Sequence, residues 1–79
     1  MDVVLNAVIL REREENELCV CYNEVGEFDL YGHHNGEEVR LITDDLDELI
    51  KTLESCKRAY DEDGWDRFIE MIHCMIADD

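Results

Sequence analysis

Apolar and polar positions alternate along the first half of the chain and switch to helical spacing in the second. Period-two runs over 3–12, 17–23, 27–33 and 38–43 predict four strands. The turns between them predict their register. Asn35-Gly36 is a two-residue hairpin signal, because both central residues of the favoured turn need positive φ. It places Gly32 opposite Val39 and Leu30 opposite Leu41. Glu24-Val25-Gly26 reads as a three-residue loop with glycine left-handed, pairing Tyr22 with Phe28 and Val20 with Leu30. Glu14-Glu15-Asn16 reads the same way with Asn16 left-handed, setting Leu10 against Val20 and Val8 against Tyr22. The three registers agree. They collect Val4, Val8, Leu10, Leu18, Val20, Tyr22, Phe28, Leu30, Val39 and Leu41 on one face of an antiparallel meander.

Helical spacing begins after Thr43. Leu46, Leu49, Ile50, Leu53, Cys56 and Tyr60 form one stripe, predicting a helix over 44–61. Asp44, Asp45, Asp47 and Glu48 crowd its start and Lys57 and Arg58 its far end, as the helix dipole favours. Asp61-Glu62-Asp63-Gly64 reads as a break. A second helix over 65–77 carries Trp65, Phe68, Ile69, Ile72, Met75 and Ile76 on its apolar side. The expectation is a single α+β domain over 1–79, ordered ββββαα, with the two helices as a hairpin on the sheet's apolar face.

The other sheet face holds Val3, Leu5, Ala7, Ile9, Cys19, Cys21, Tyr31 and Ile42 beside Arg11, Asp29, His33 and Arg40. That is more apolar than a solvated face requires. It reads as a partner or dimer surface, as scattered surface apolar residues, or as a face that a helix wraps round to cover.

Composition adds charge to this pattern. The chain has 22 acidic and 7 basic side chains, a formal net charge of −15, yet 46% of its residues are apolar. The apolar share argues against a disordered acidic tail. The charge disfavours direct binding to nucleic acid or anionic membrane and favours a basic partner, a cation or a salty solvent. No run is long and apolar enough to span a bilayer. Met1-Asp2-Val3-Val4-Leu5 lacks the basic region and cleavage site of a signal peptide, so the expected location is the cytoplasm, with reduced cysteines.

Candidate chemistry is thin. Cys19 and Cys21 with His33 share one face, but C-x-C on a strand lacks zinc-knuckle spacing and His34 points the other way. His33-His34-Asn35 has a simpler role as a turn than as a nuclease motif. Asp61-Glu62-Asp63-Gly64 lacks the closing glutamate of a calcium loop, since Ile72 stands at its twelfth position. Cys56 and Cys74 read as core cysteines, not as electropositively placed nucleophiles. His73 has no evident partner. No phosphate-binding loop or G-x-S-x-G is present. The expectation is a non-enzyme without cofactor or metal.

The acids run in clusters: Glu12-Arg13-Glu14-Glu15-Asn16-Glu17, Glu37-Glu38, Asp44-Asp45 with Asp47-Glu48, and Asp61-Glu62-Asp63 with Asp66. Glu54 and Glu70 add charge along the helices. Carboxylates on a folded domain can stand at spacings like those of DNA phosphates and compete for Lys/Arg grooves. In size, acidity and these runs, the chain resembles small phage-encoded antagonists of host defence, the DNA-mimic anti-restriction and anti-CRISPR proteins. The resemblance carries no residue roles. It implies an inhibitor, acting in the host cytoplasm, that binds a basic surface of a nucleic-acid-handling protein. The residues expected to make that contact are Asp44, Asp45, Asp47, Glu48, Asp61, Glu62 and Asp63, with Glu14, Glu15 and Glu17 next. An adaptor or homodimer docking through Ile9, Cys21, Tyr31 and Ile42 stands as the alternative. Acidity serving solubility or a salty habitat also stays open.

Overall fold

A computed structural model describes residues 6–77. Strands β1 (Asn6–Arg11), β2 (Glu17–Tyr22), β3 (Phe28–His34) and β4 (Glu37–Thr43) form one antiparallel sheet in chain order. Helices α1 (Leu46–Glu54) and α2 (Glu62–Ala77) follow, joined through a 3-10 turn at Lys57–Ala59. This is the ββββαα arrangement that the patterning predicts. Val3, Val4 and Leu5, assigned above to the first strand, lie outside the described residues.

Two hairpins close as their turn residues dictate. Asn35 and Gly36 have φ of 54° and 83°, the two positive values of the tight turn. Because this turn is so short, β3 runs on to His34 and β4 starts at Glu37, one residue beyond the predicted bounds. Gly32 faces Val39 and Leu30 faces Leu41. At the second hairpin the Asn23 side chain accepts hydrogen bonds from Val25 N (3.1 Å) and Glu27 N (2.9 Å). Tyr22 then faces Phe28, and Val20 faces Leu30.

The first hairpin differs from expectation. Val8 faces Val20 and Leu10 faces Leu18, a slip of two residues from the predicted pairing. The loop is longer than three residues: Glu12 N donates to Asn16 O at 2.8 Å, and Arg13, not Asn16, takes the positive φ. Asn16 is buried and serves the neighbouring hairpin, its Oδ1 accepting from Asn35 N at 2.8 Å. Gly36 N donates to Glu15 O beside it. A slip of two preserves which face each side chain takes, so the core set survives the error.

Helix boundaries also move. Asp45 is the N-cap of α1, its side chain accepting from Asp47 N, so Asp44 and Asp45 precede the helix. Thr43 Oγ1 accepts from Asp45 N (3.0 Å) and donates to Glu48 Oε1 (2.7 Å), fixing the strand-to-helix corner. The helix stops at Glu54 and does not reach residue 61. Ser55 Oγ donates to Thr52 O at 2.7 Å, and such side-chain bonds compete with the helical ladder. Lys51 therefore occupies the last turn, while Lys57 and Arg58 sit on the 3-10 turn. Glu62, Asp63 and Gly64 open α2; they do not break the chain before residue 65. Trp65 N donates to Asp61 O, and Gly64 N to Asp61 Oδ2.

Leu18, Val20, Leu30, Leu49, Leu53 and Ile72 are the largest fully buried side chains. Each contributes roughly 1.5–3 kcal/mol by burial. Trp65 sits between Tyr60 and Phe68, with ring centroids 5.7 and 5.8 Å away. Cys56 is buried as expected, but Cys74 is exposed, because α2 buries positions 65, 68, 72 and 75 and turns residue 74 outward. Helix α2 rests on β1 and β2, and α1 on β3 and β4. The buried sides of both helices close one core against the sheet.

Candidate functional site

Chain direction distributes the acids between two ends of the sheet. Loop 12–16, the Asn35-Gly36 turn and the α1–α2 connection lie at one end. The hydrogen bonds from Asn35 and Gly36 to the 15–16 backbone and side chain join the first two. Gly64 lies against Leu10, which brings the start of α2 to the same end. Glu14, Glu15, Glu17, Asp61, Glu62 and Asp63 therefore share one end. Asp44, Asp45, Asp47 and Glu48 sit at the other, where Thr43 pairs with Phe28. A strand of this length spans roughly 20 Å, so the two acidic groups are separate surfaces.

Several of these acids have local partners. Asp45 and Asp61 accept backbone N–H groups, Glu48 accepts the Thr43 hydroxyl, and Glu17 pairs with Arg11 at 3.0 Å. Asp47, Glu62 and Asp63 occupy first turns, where the dipole favours anions. Glu14 and Glu15 are exposed and make no ion pair with another described residue.

No described element covers the sheet face away from the helices. Register sets three rows across it: Arg11, Glu17, His33, Glu38; then Ile9, Cys19, Tyr31, Arg40; then Ala7, Cys21, Asp29, Ile42. Ile9 is 60% exposed, Ile42 56% and Tyr31 43%. Among the described residues no helix wraps round this face, because α1 and α2 both use the opposite one. Arg11 offsets Glu17, and Arg40 approaches Asp29 at 3.8 Å, so charge on this face is nearly balanced. Cys21 Sγ stands 3.9 Å from the Tyr31 hydroxyl. Hydrogen bonding to Cys19, then to Cys21, raises the Tyr31 pKa, and burial pushes the Cys19 thiol up. A raised pKa keeps Cys19 protonated at neutral pH, the reverse of an activated nucleophile. Among the described residues no three His, Cys, Asp or Glu side chains come together as a metal cluster. Among the same residues no helix is long and apolar enough to cross a membrane.

A third feature escaped the sequence reading. An open groove of about 530 Å³ is lined by residues of both helices and of the turn between them. Ile50, Trp65 and Ile69 form its apolar part, while Glu54, Asp66 and Glu70 line it with carboxylates beside Lys57. The i, i+4 spacing of Asp66 and Glu70 was visible in the sequence as one acidic helix stripe. Its meeting with Glu54 in one groove was not, because that depends on how two helices separated by a turn lie on the sheet.

Compared with protein-family models, curated proteins and solved structures, the chain finds no match in any of the three.

Proposed function

We propose that this protein is a non-enzymatic inhibitor that binds a basic, nucleic-acid-handling surface of a partner protein. The type is that of anti-restriction and anti-CRISPR antagonists, with carboxylates standing in for DNA phosphates. The observation that carries the reading is the end of the sheet where Glu14 and Glu15 join Asp61, Glu62 and Asp63. Glu14 and Glu15 are exposed and committed to no described ion pair, and they stand in addition to the helix-start acids Asp61, Glu62 and Asp63. Lys and Arg side chains of a partner would meet these carboxylates in charge-assisted pairs, and the net charge of −15 would speed the encounter. The test is capture of the partner from a host lysate at low and high ionic strength, followed by affinity measurement. Binding should weaken by about tenfold or more as salt screens the pairs, and again in a Glu14→Lys/Glu15→Lys variant. Affinity that ignores salt would overturn the reading.

A second reading is supported by the exposure of Ile9, Tyr31 and Ile42 on the charge-balanced sheet face. Here the chain is an adaptor or dimerising module that docks through this face. It predicts that Tyr31→Asp or Ile42→Asp abolishes association, while reversal of Glu14 and Glu15 does little. Molar mass in solution separates a salt-resistant dimer from a monomer.

A further inference from the structure

We propose that the groove between α1 and α2 is a docking slot for a basic amphipathic segment of the partner protein. The inference rests on the inhibitor reading for the partner's identity and deepens it by naming a second contact. The groove is lined from both helices, α1 resting on β3 and β4 and α2 on β1 and β2. At about 530 Å³ it falls in the range of ligand-sized clefts, ~300–1,000 Å³. Its chemistry is two-sided. Ile50 and Ile69 offer apolar surface over the nearly buried Trp65, and Glu54 lies on α1 with Asp66 and Glu70 on α2.

That combination selects an occupant. An arginine or lysine side chain has an aliphatic stem and a cationic head, so it can lie along Ile50 and Ile69 while its head meets the carboxylates. Lys57 is the one base among the lining residues and cannot neutralise three acids. A nucleic acid or an anionic membrane would face those same carboxylates and be repelled. So would a second copy, which brings its own −15. An apolar segment without cations would leave the acids desolvated and unpaired. A segment with apolar and basic residues on one face satisfies both parts.

Trp65 is the sole tryptophan and lies nearly buried at the wall of the groove, so its fluorescence is the probe of a change in its environment there. The probe is a synthetic helical peptide with leucine and arginine sharing one face; spermine and oligo-arginine serve as cations without apolar side chains. The peptide should saturate a Trp65 signal with one peptide bound per chain. Glu54→Lys/Glu70→Lys should weaken it by about tenfold, equivalent to ~1.4 kcal/mol. Glu24→Lys/Glu27→Lys makes the same charge change in the β2–β3 turn, at the end of the sheet opposite the α1–α2 connection, and should stay within about twofold. Equal weakening in both variants would reduce the effect to general attraction and overturn the slot. So would spermine binding as tightly as the peptide, because the apolar residues would then do nothing. Thermal melts establish that each variant folds. Should one not fold, amide shifts of the wild-type protein decide: changes must centre on Ile50, Lys57, Trp65 and Ile69, and changes spread elsewhere reject the slot. Salt-insensitive partner capture with an intact peptide site would sink the inhibitor reading alone. A salt-sensitive partner with no peptide site would sink the slot alone.

Discussion

Replacing Gly32 with alanine should be among the most damaging single changes to this fold. Gly32 lies mid-sheet on β3, opposite Leu18 and Val39, with a φ of 154°. A Cβ built there would stand 2.0 Å from the Glu17 carbonyl oxygen and 2.9 Å from its carbon. Both are backbone atoms, so no side-chain rotation relieves the overlap. Ordinary contact needs more than 3 Å, so β2 and β3 must part by about 1 Å, from a spacing of about 4.8 Å. That breaks or stretches roughly two ladder hydrogen bonds, each worth about 1 kcal/mol net. It also lifts the fully buried Leu18 off the core, and the unusual φ adds about 1 kcal/mol or more. The sum is about 3–5 kcal/mol. A chain of 79 residues is expected to hold only about 4–12 kcal/mol in total. Urea unfolding followed by Trp65 fluorescence, with a thermal melt beside it, reads the loss. The melting temperature should fall by on the order of 15–30 °C, or the variant should not fold. Gly36→Ala is the control, because Gly36 also has positive φ but nothing lies within 4 Å of a Cβ there. It should cost only about 1 kcal/mol. A Gly32→Ala protein within about 1 kcal/mol of wild type would refute the clash and the register that creates it.

Asp45→Ala removes the α1 N-cap and should cost about 1 kcal/mol by urea midpoint, while Asp44→Ala, whose residue caps nothing, should change little. Gly64→Ala should stabilise by roughly 0.5–1 kcal/mol, because Gly64 is helical and a Cβ would meet only Leu10 Cδ1 at 3.7 Å. Tyr60 is the alkaline probe. Burial first, then the charges of Cys56, Glu17 and Glu12, push its hydroxyl up to about 12 from the ordinary 10. The folded state therefore holds this proton more tightly than the unfolded state. Its contribution is fully present below pH 10 and is lost as pH rises from 10 to 12. Tyr60→Phe should flatten that part of the stability-versus-pH curve. It should cost little at neutral pH, since the buried hydroxyl has no hydrogen-bond partner among the described residues.

Local chemistry was legible in the sequence wherever it was strong. Asn35-Gly36 and the alternation of Val20, Tyr22, Phe28 and Leu30 determined two registers and the buried face, because turn type and side-chain period leave little freedom. The same alternation found the first strand, but not its register. That was decided by Asn16, which is drawn into the next hairpin by its bond to Asn35 N, a contact that no local rule contains. The end of α1 was missed for a related reason. Cys56 and Tyr60 continue the apolar stripe and do reach the core, but through a 3-10 turn that Ser55 and Thr52 favour.

The candidate surfaces divide along the same line. The excess of acids, their clustering, and the residues Ile9, Cys21, Tyr31 and Ile42 on the second sheet face were all readable from the chain. Which acids share a surface was not. Strand direction sends Asp44, Asp45, Asp47 and Glu48 to one end of the sheet, and Glu14, Glu15, Asp61, Glu62 and Asp63 to the other. The groove belongs wholly to the tertiary structure. Each helix's apolar stripe specifies burial against something, and only the packing of both on the sheet brings Trp65, Glu54 and Glu70 to one groove.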